Sequence, residues 1–328
     1  MSSQSYDVVG IGAPFIDYII DVSDEFLQQL AGDKGGMIAV DYPAFRKIIE
    51  DSGVTPKVIP GGSGANTIRG LAWLGHSCAL IGKIGDDEAG KLFLESLTAL
   101  NVVPFLIQVK TPTAQAICLI TPEGERTMRS FLGAGQEISV DDLNPRFFNG
   151  VQLVHIEGYT LLKEALTQRT MELGKAAGAK ISFDLGSFEV VKKHKDDIVD
   201  LLTRYVDVLF ANRDEVYMLT QLGPEKGCQV LADICETVVV LLGAEGCLVA
   251  RGAEQVHIPA YTVEAIDTTG AGDLFASGFL HGYLKGRSLS DCGRYGVLTG
   301  AAAVQVRGVE ITPDTWQEIR AKIQSFHI

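Results

Sequence analysis

The stretch Asp267-Thr268-Thr269-Gly270-Ala271-Gly272-Asp273 constrains this chain more than any other. It joins an apolar run that alternates like a strand (Tyr261, Val263, Ala265, Ile266) to residues spaced as one face of a helix: Ala271, Leu274, Phe275, Gly278, Phe279 and Gly282. A glycine-rich turn therefore opens a helix, whose first N–H groups lack partners within the helix and carry partial positive charge. Such a helix start is a site for phosphate. Gly270 and Gly272 let the backbone approach an anion with no Cβ in the way. Asp273 is out of place in a plain anion site, because a carboxylate beside a phosphate costs free energy. It fits on the acceptor side, taking the proton of an attacking hydroxyl. It fits equally as an ordinary acid in the first turn of a helix.

The rest of the chain supplies a frame for that turn. From about residue 138 onward, apolar strands at 151–156, 180–183, 208–211 and 237–242 alternate with helical runs at 163–177, 198–205, 215–219 and 225–235. That rhythm implies a parallel sheet with helices on both faces. Ligands in such sheets bind beyond the strand C-termini. The residues to read there are Asp184, Asn212 with Glu215, and Gly243 with Gly246. Asn212 and Glu215 are placed to hold Mg²⁺ through water, or to form a plain capping box.

Before residue 138, strands are expected at 6–11, 16–20, 37–40, 54–59 and 77–84, and a helix at 88–100. Helices at 289–305 and 312–326 close the chain. Strands at 105–109, 113–120 and 127–131 have no helix between them and read as antiparallel. With strands from about 15–40 they would form a small sheet over a ligand cleft, a lid within about 15–40 and 103–132.

Three tempting motifs fail. Gly10-Ile11-Gly12 follows a strand, but Phe15 takes the third glycine position of a dinucleotide fingerprint. The 85–92 segment approaches a P-loop, yet Leu92 cannot ligate Mg²⁺ and Asp86, Asp87 and Glu88 would repel phosphate. Gly61-Gly62-Ser63-Gly64-Ala65 approaches a serine-hydrolase elbow, but nothing around His257 or His281 marks a triad. Gly61 to Asn66 reads better as a backbone cradle at a second helix start, running to about Leu74, with Asn66 offering one donor and one acceptor.

In this order, the glycine-rich start at 61–66, Asn212-x-x-Glu215, Gly243-x-x-Gly246 and the 267–273 stretch resemble the ribokinase (PfkB) family of carbohydrate kinases, over nearly the whole chain. The 61–67 segment and Pro122-Glu123-Gly124-Glu125-Arg126-Thr127-Met128 look most like its adenosine kinase branch. The resemblance implies one α/β domain over 1–328. It would be a ribokinase-like three-layer sandwich with a mainly parallel central sheet and a small β-sheet lid. It implies transfer of the γ-phosphoryl of ATP to a hydroxyl, usually primary, of a nucleoside or sugar. Asp273 would be the base, and Gly270, Ala271 and Gly272 the anion hole. Asp17, Gly61, Gly62 and Asn66 would hold the acceptor, and Asn212, Gly243 and Gly246 the nucleotide. Glu215 and Asn212 would govern Mg²⁺, and Asp267 and Thr269 a monovalent cation such as K⁺. Lid strands pair across a dimer in some relatives, so a monomer and a lid-mediated homodimer both fit. Relatives often have Thr at 241, a basic residue at 245 and an Asn near 299–301; this chain has Leu241, Glu245 and Thr299-Gly300-Ala301. Leu241 and Glu245 motivate a rival reading, a non-catalytic regulator that binds nucleotide or sugar.

Charge and cysteines narrow the setting. A formal net charge of −13 excludes nucleic acid as the main partner. Six scattered cysteines without a C-x-x-C pair speak against a disulfide scaffold. With no signal peptide and no membrane-spanning apolar run in view, a cytoplasmic protein is expected.

Overall fold

The computed structural model describes residues 5–163 and 165–326. The first four residues and Glu164, which falls in the run expected to be helical from 163, lie outside them. Among the described residues, fourteen strands sort into two sheets. They are β1 (Val8–Ile11), β2 (Phe15–Asp21), β3 (Met37–Ala39), β4 (Lys57–Gly61), β5 (Cys78–Gly85), β6 (Val103–Val109) and β7 (Ala114–Ile120). The others are β8 (Arg126–Phe131), β9 (Leu153–Glu157), β10 (Lys180–Asp184), β11 (Val208–Asn212), β12 (Thr237–Leu241), β13 (Cys247–Arg251) and β14 (Glu254–Ile258).

Nine strands make the main sheet in the order β14-β13-β12-β11-β10-β9-β1-β5-β6. From β12 through β6 every pairing is parallel, and β13 and β14 run antiparallel at one edge. Alternate side chains of each strand enter different cores. Val9, Ile11, Val154 and Ile156 face one cluster, with Met171, Ile198, Leu202 and Val216 from helices on that side. Val8, Leu80, Leu153 and Phe210 face the other, with Ile68, Phe93, Phe275 and Phe279. That two-sided burial makes the three-layer sandwich and explains why the strands read as unbroken apolar runs.

The lid is a five-stranded sheet, β3-β8-β7-β2-β4, with its own small core around Ile20, Leu27, Phe45, Ile117 and Leu119. Three expectations change here. β6 does not belong to the lid: it pairs in parallel with β5 after the helix Glu88–Thr98 and forms the edge of the main sheet. β4 joins the lid instead, antiparallel to β2, with Asp17 opposite Ile59 and Phe15 opposite Gly61. Residues 261–266 form no strand: the hairpin β13–β14 already ends the sheet, and Ile266 N donates to Val304 O at 2.7 Å. The hairpin and the helix Tyr42–Ser52, capped by Asp41, were not anticipated.

The two glycine-rich turns open the helices Ser63–Trp73 and Ala271–Leu284, which pack against each other. Gly70 permits this, since a Cβ there would stand 2.5 Å from Ser277 Oγ. Both helix starts thereby meet beside the C-terminal ends of β1 and β9.

Candidate active site

A cleft of about 1840 Å³ lies between the lid and the C-terminal edge of the main sheet. Asp17, Gly62, Asn66, Asn212, Glu215, Gly243, Gly246, Thr269, Gly270, Ala271, Gly272 and Asp273 all line it. Gly61 and Asp267 stand behind this wall. Gly61, on the lid strand β4, makes room for the carboxylate on the neighbouring β2: a Cβ there would lie 2.2 Å from Asp17 Oδ2.

The helix start is open to an anion. Gly270 caps it at φ 67°, and Leu274 N donates to Gly270 O. The N–H groups of Gly272 and Asp273 have no partner among the described residues, and nothing stands within 4 Å of where a Cβ would sit on Gly272. These are the donors a phosphoryl group would require.

Asp273 is held from the other helix. Ser63 Oγ donates to its Oδ1 at 2.7 Å, and Asn66 Nδ2 to its Oδ2 at 2.8 Å. Thr67 Oγ1 donates to its backbone carbonyl at 3.1 Å. Ser63 thus serves an aspartate rather than a histidine, which ends the hydrolase reading. His257 bonds the Glu245 carbonyl, and His281 pairs with His76. Burial pushes the Asp273 carboxyl above its ordinary pKa, while Asn66, Ser63, Arg69 and Arg126 pull it back.

Other carboxyls crowd the same edge. Burial pushes Asp17 up to about 7, opposed by Arg69 and Arg126. Asp184 is raised by burial and by Glu215 and Asp273. Glu157, at the end of β9, was not anticipated. It receives Ala13 N at 3.0 Å and Gly64 N at 2.7 Å, joining β1 to the first glycine turn, and burial lifts it to about 7. The marker was an acid closing an apolar strand at the ligand edge. Arg126 on β8 was quoted only within a motif. Its Nη1 donates to Thr269 Oγ1 at 2.8 Å, so the lid reaches the anion turn directly.

Asn212 and Glu215 do form a capping box: Asn212 Oδ1 receives Asp214 N and Glu215 N at 2.9 Å, and Glu215 Oε2 receives Asn212 N at 2.8 Å. The other Glu215 oxygen has no partner among the described residues, and burial lifts this carboxyl to about 7. Among the described residues, no cluster of three or more His, Cys, Asp or Glu could hold a metal by itself. A Mg²⁺ that arrives on phosphates and takes one carboxylate through water needs no such cluster. Glu245, the departure nearest the nucleotide glycines, is neutralised by Arg213 at 2.9 Å. Asp267 accepts Thr269 N at 2.9 Å, Thr269 Oγ1 at 2.6 Å and Gly308 N at 2.8 Å, bracing the turn. The near-P-loop acid Asp87 is structural: it caps its helix through Gly90 N and receives Thr113 N and Oγ1.

Among the aromatic residues of the lid and its flanks, Phe15 lines the cleft. Tyr18 packs on Phe45, Phe105 on Tyr6 and Phe147, and Phe131 on Tyr42.

Residues 42–316 match the model of the pfkB family carbohydrate kinases. An uncharacterized sugar kinase of Archaeoglobus fulgidus is 28% identical over 241 residues, 73% of this chain and 96% of that protein. Among solved structures, a probable sugar kinase from Rhizobium etli superposes with a TM-score of 0.89 at 29% identity, covering 97% of this chain and 99% of the other. The adenosine kinase of Sinorhizobium meliloti superposes with a TM-score of 0.88 at 30% identity, with the same coverage.

Proposed function

As a member of the pfkB family of carbohydrate kinases, the chain is an ATP-dependent kinase of a sugar or nucleoside hydroxyl, and we propose that it phosphorylates the primary hydroxyl of a nucleoside in the cleft beneath the lid. The observation that carries this reading is the meeting of Asp273, held by Ser63 and Asn66, with the unpartnered N–H groups at the start of its own helix. A nucleoside is favoured over a bare sugar by the apolar side chains that join Asp17 around the cleft: Phe15, Met37, Met128, Leu132 and Leu162. These suit a base, while Asp17 suits ribose hydroxyls.

ATP would supply the transferred phosphoryl group, and Mg²⁺ would neutralise its charge. Asp273 orients the acceptor hydroxyl and takes its proton. Each carboxylate oxygen has a second lone pair, so the bonds from Ser63 and Asn66 leave an acceptor for that hydroxyl. Of the expected anion hole Gly270, Ala271 and Gly272, the Ala271 N–H is engaged by Thr268 O at 3.3 Å, so the amides of Gly272 and Asp273 would meet the charge that develops on the transferred group. Arg126 brings a guanidinium to the same place from the lid. Asn212, Gly243 and Gly246 would border the nucleotide, and the free oxygen of Glu215 would accept from the water shell of a Mg²⁺. Asp267 and the carbonyls of the 267–269 turn would hold a monovalent cation such as K⁺.

A cytoplasmic setting fits six buried free thiols, and no helix of the described residues is long and apolar enough to cross a membrane. A lid-mediated dimer would pair through an edge strand, β3 or β4. The test is ADP release by the purified protein with ATP, Mg²⁺ and K⁺ against nucleosides, pentoses and hexoses. Nucleosides should give the highest kcat/KM. A pentose or hexose turned over better than every nucleoside would overturn the substrate assignment.

A further inference from the structure

Arg69 lies outside the main cleft. It lines a separate cavity of about 250 Å³ behind it, with Trp73, Leu100, Glu310 and Trp316, and Asn66 is the acceptor-side residue common to both spaces. Its Nη2 donates to Pro60 O at 2.8 Å and also to Asn66 Oδ1. We propose that Arg69 is a positioning residue for phosphoryl transfer, setting the orientation of the Asn66 amide and through it the hydrogen bond that holds Asp273.

The argument is one of donors and acceptors. An Asn amide can sit either way round, with an oxygen or an NH₂ on a given side. A guanidinium can only donate, and an ionised carboxylate can only accept. Asn66 stands between one of each. With Oδ1 on Arg69 and Nδ2 on Asp273 Oδ2, both contacts are satisfied. Reversed, donor would face donor and acceptor would face acceptor. Arg69 therefore determines that the base is met by an N–H, without touching the base. The same nitrogen holds the Pro60 carbonyl on β4, the strand paired with the one that carries Asp17. Both sides of the acceptor pocket are thereby referred to a single guanidinium. Its Nε and Nη1 make no hydrogen bond among the described residues, and Asp17, Asp273 and Glu310 attract its charge from beyond hydrogen-bond contact. The proposal rests on the reading of Asp273 as base.

The test compares Arg69→Ala, Arg69→Met and Arg69→Lys for kcat, both KM values and the pH dependence of kcat, with and without millimolar guanidinium ion. The cavity beside Arg69 gives the added ion a place to bind. In the Ala and Met variants kcat should fall on the order of 10- to 100-fold, with the acid limb of the kcat profile moved up by about one pH unit. Guanidinium should restore most of the loss in the Ala variant and none in the Met variant, whose side chain fills the space. The Lys variant should keep the acid limb near its original place. An unmoved acid limb in both Ala and Met variants, or a kcat loss in the Ala variant that guanidinium leaves unchanged, overturns the proposal. Asp273→Asn separates the two readings. If it is inactive while the acid limb of the Arg69 variants stays put, the Arg69 role alone fails. If it turns over normally, the base assignment fails first.

Discussion

Asp273→Asn tests the reaction chemistry with little disturbance of the fold. Asn is the same shape as Asp, so the question is whether its new NH₂ meets a donor. Asn66 Nδ2, at 2.8 Å, must still find an oxygen. The new amide therefore turns its oxygen to Asn66 and its NH₂ to Ser63 Oγ, which lies 2.7 Å from the other side-chain atom. The serine hydroxyl rotates from donor to acceptor, and every buried group stays paired. Asp273→Ala, by contrast, leaves Asn66 and Ser63 without an acceptor at about 1–3 kcal/mol each. The Asn variant should thus lose the base alone, about 10²- to 10⁴-fold in kcat. That loss corresponds to roughly 3–5 kcal/mol of transition-state stabilisation. Acceptor KM should stay within about threefold, because Asp17 and the lid are untouched. The folded-state pKa of Asp273 is raised, so its contribution to stability is present at low pH and is lost as pH rises through that folded value. The neutral variant escapes this loss and should melt no lower than the parent at pH 8. The assays are coupled ADP release and thermal denaturation. A kcat within tenfold of the parent, at normal acceptor KM, would refute the reasoning.

Gly61→Ala places a Cβ 2.2 Å from Asp17 Oδ2 and must displace that carboxylate, so kcat/KM for the acceptor should fall on the order of 10- to 100-fold in steady-state assays. Arg126→Met removes the lid's bond to Thr269 and should lower kcat at least roughly tenfold; a parent-like kcat would show that the guanidinium does not serve the transferred group. Glu157 has a folded pKa of about 7, so it supports the fold below its unfolded pKa and withdraws on the order of 3 kcal/mol as pH rises through 7. Glu157→Gln should therefore flatten the fall of Tm between pH 5 and 8, and parallel curves would exclude the cause. Replacing K⁺ by N-methylglucamine at constant ionic strength should lower activity if the 267–269 turn holds a monovalent cation, and unchanged activity removes that assignment.

Both glycine-rich helix starts were legible because a turn and a helical face are local patterns. Glu157 was not, because its two amide partners lie 144 and 93 residues away in the chain. Arg69 was hidden in the same way: its position one helical turn after Asn66 is visible, but its value comes from Asp273 beyond. The strand β6 looks like the lid strands that follow it, and only its pairing with β5 assigns it to the main sheet. The alternation at 261–266 mimics a strand because side chains can alternate along irregular chain, and pairing, which decides the matter, leaves no signature in one segment. The Asn212–Glu215 pair shows the reverse difficulty: a capping box and a metal-facing carboxylate use the same residues, so the local pattern could not distinguish them.

The two acids proposed to face the acceptor belong to different sheets of the fold. Asp17 sits in the lid sheet, opposite Ile59, while Asp273 sits at a helix start on the main sheet. On the proposed reading, a molecule gripped by both becomes a strut between layers already joined by the chain connections and by the bond from Arg126 to Thr269. Loading the acceptor would then tie the lid to the main sheet, and initial-rate kinetics with both substrates varied test whether the acceptor binds before the nucleotide. Water offers no second hydroxyl to complete the strut. It leaves the strut incomplete, so on this reading ATP hydrolysis without an acceptor should be slow, which ADP release in the absence of any acceptor measures.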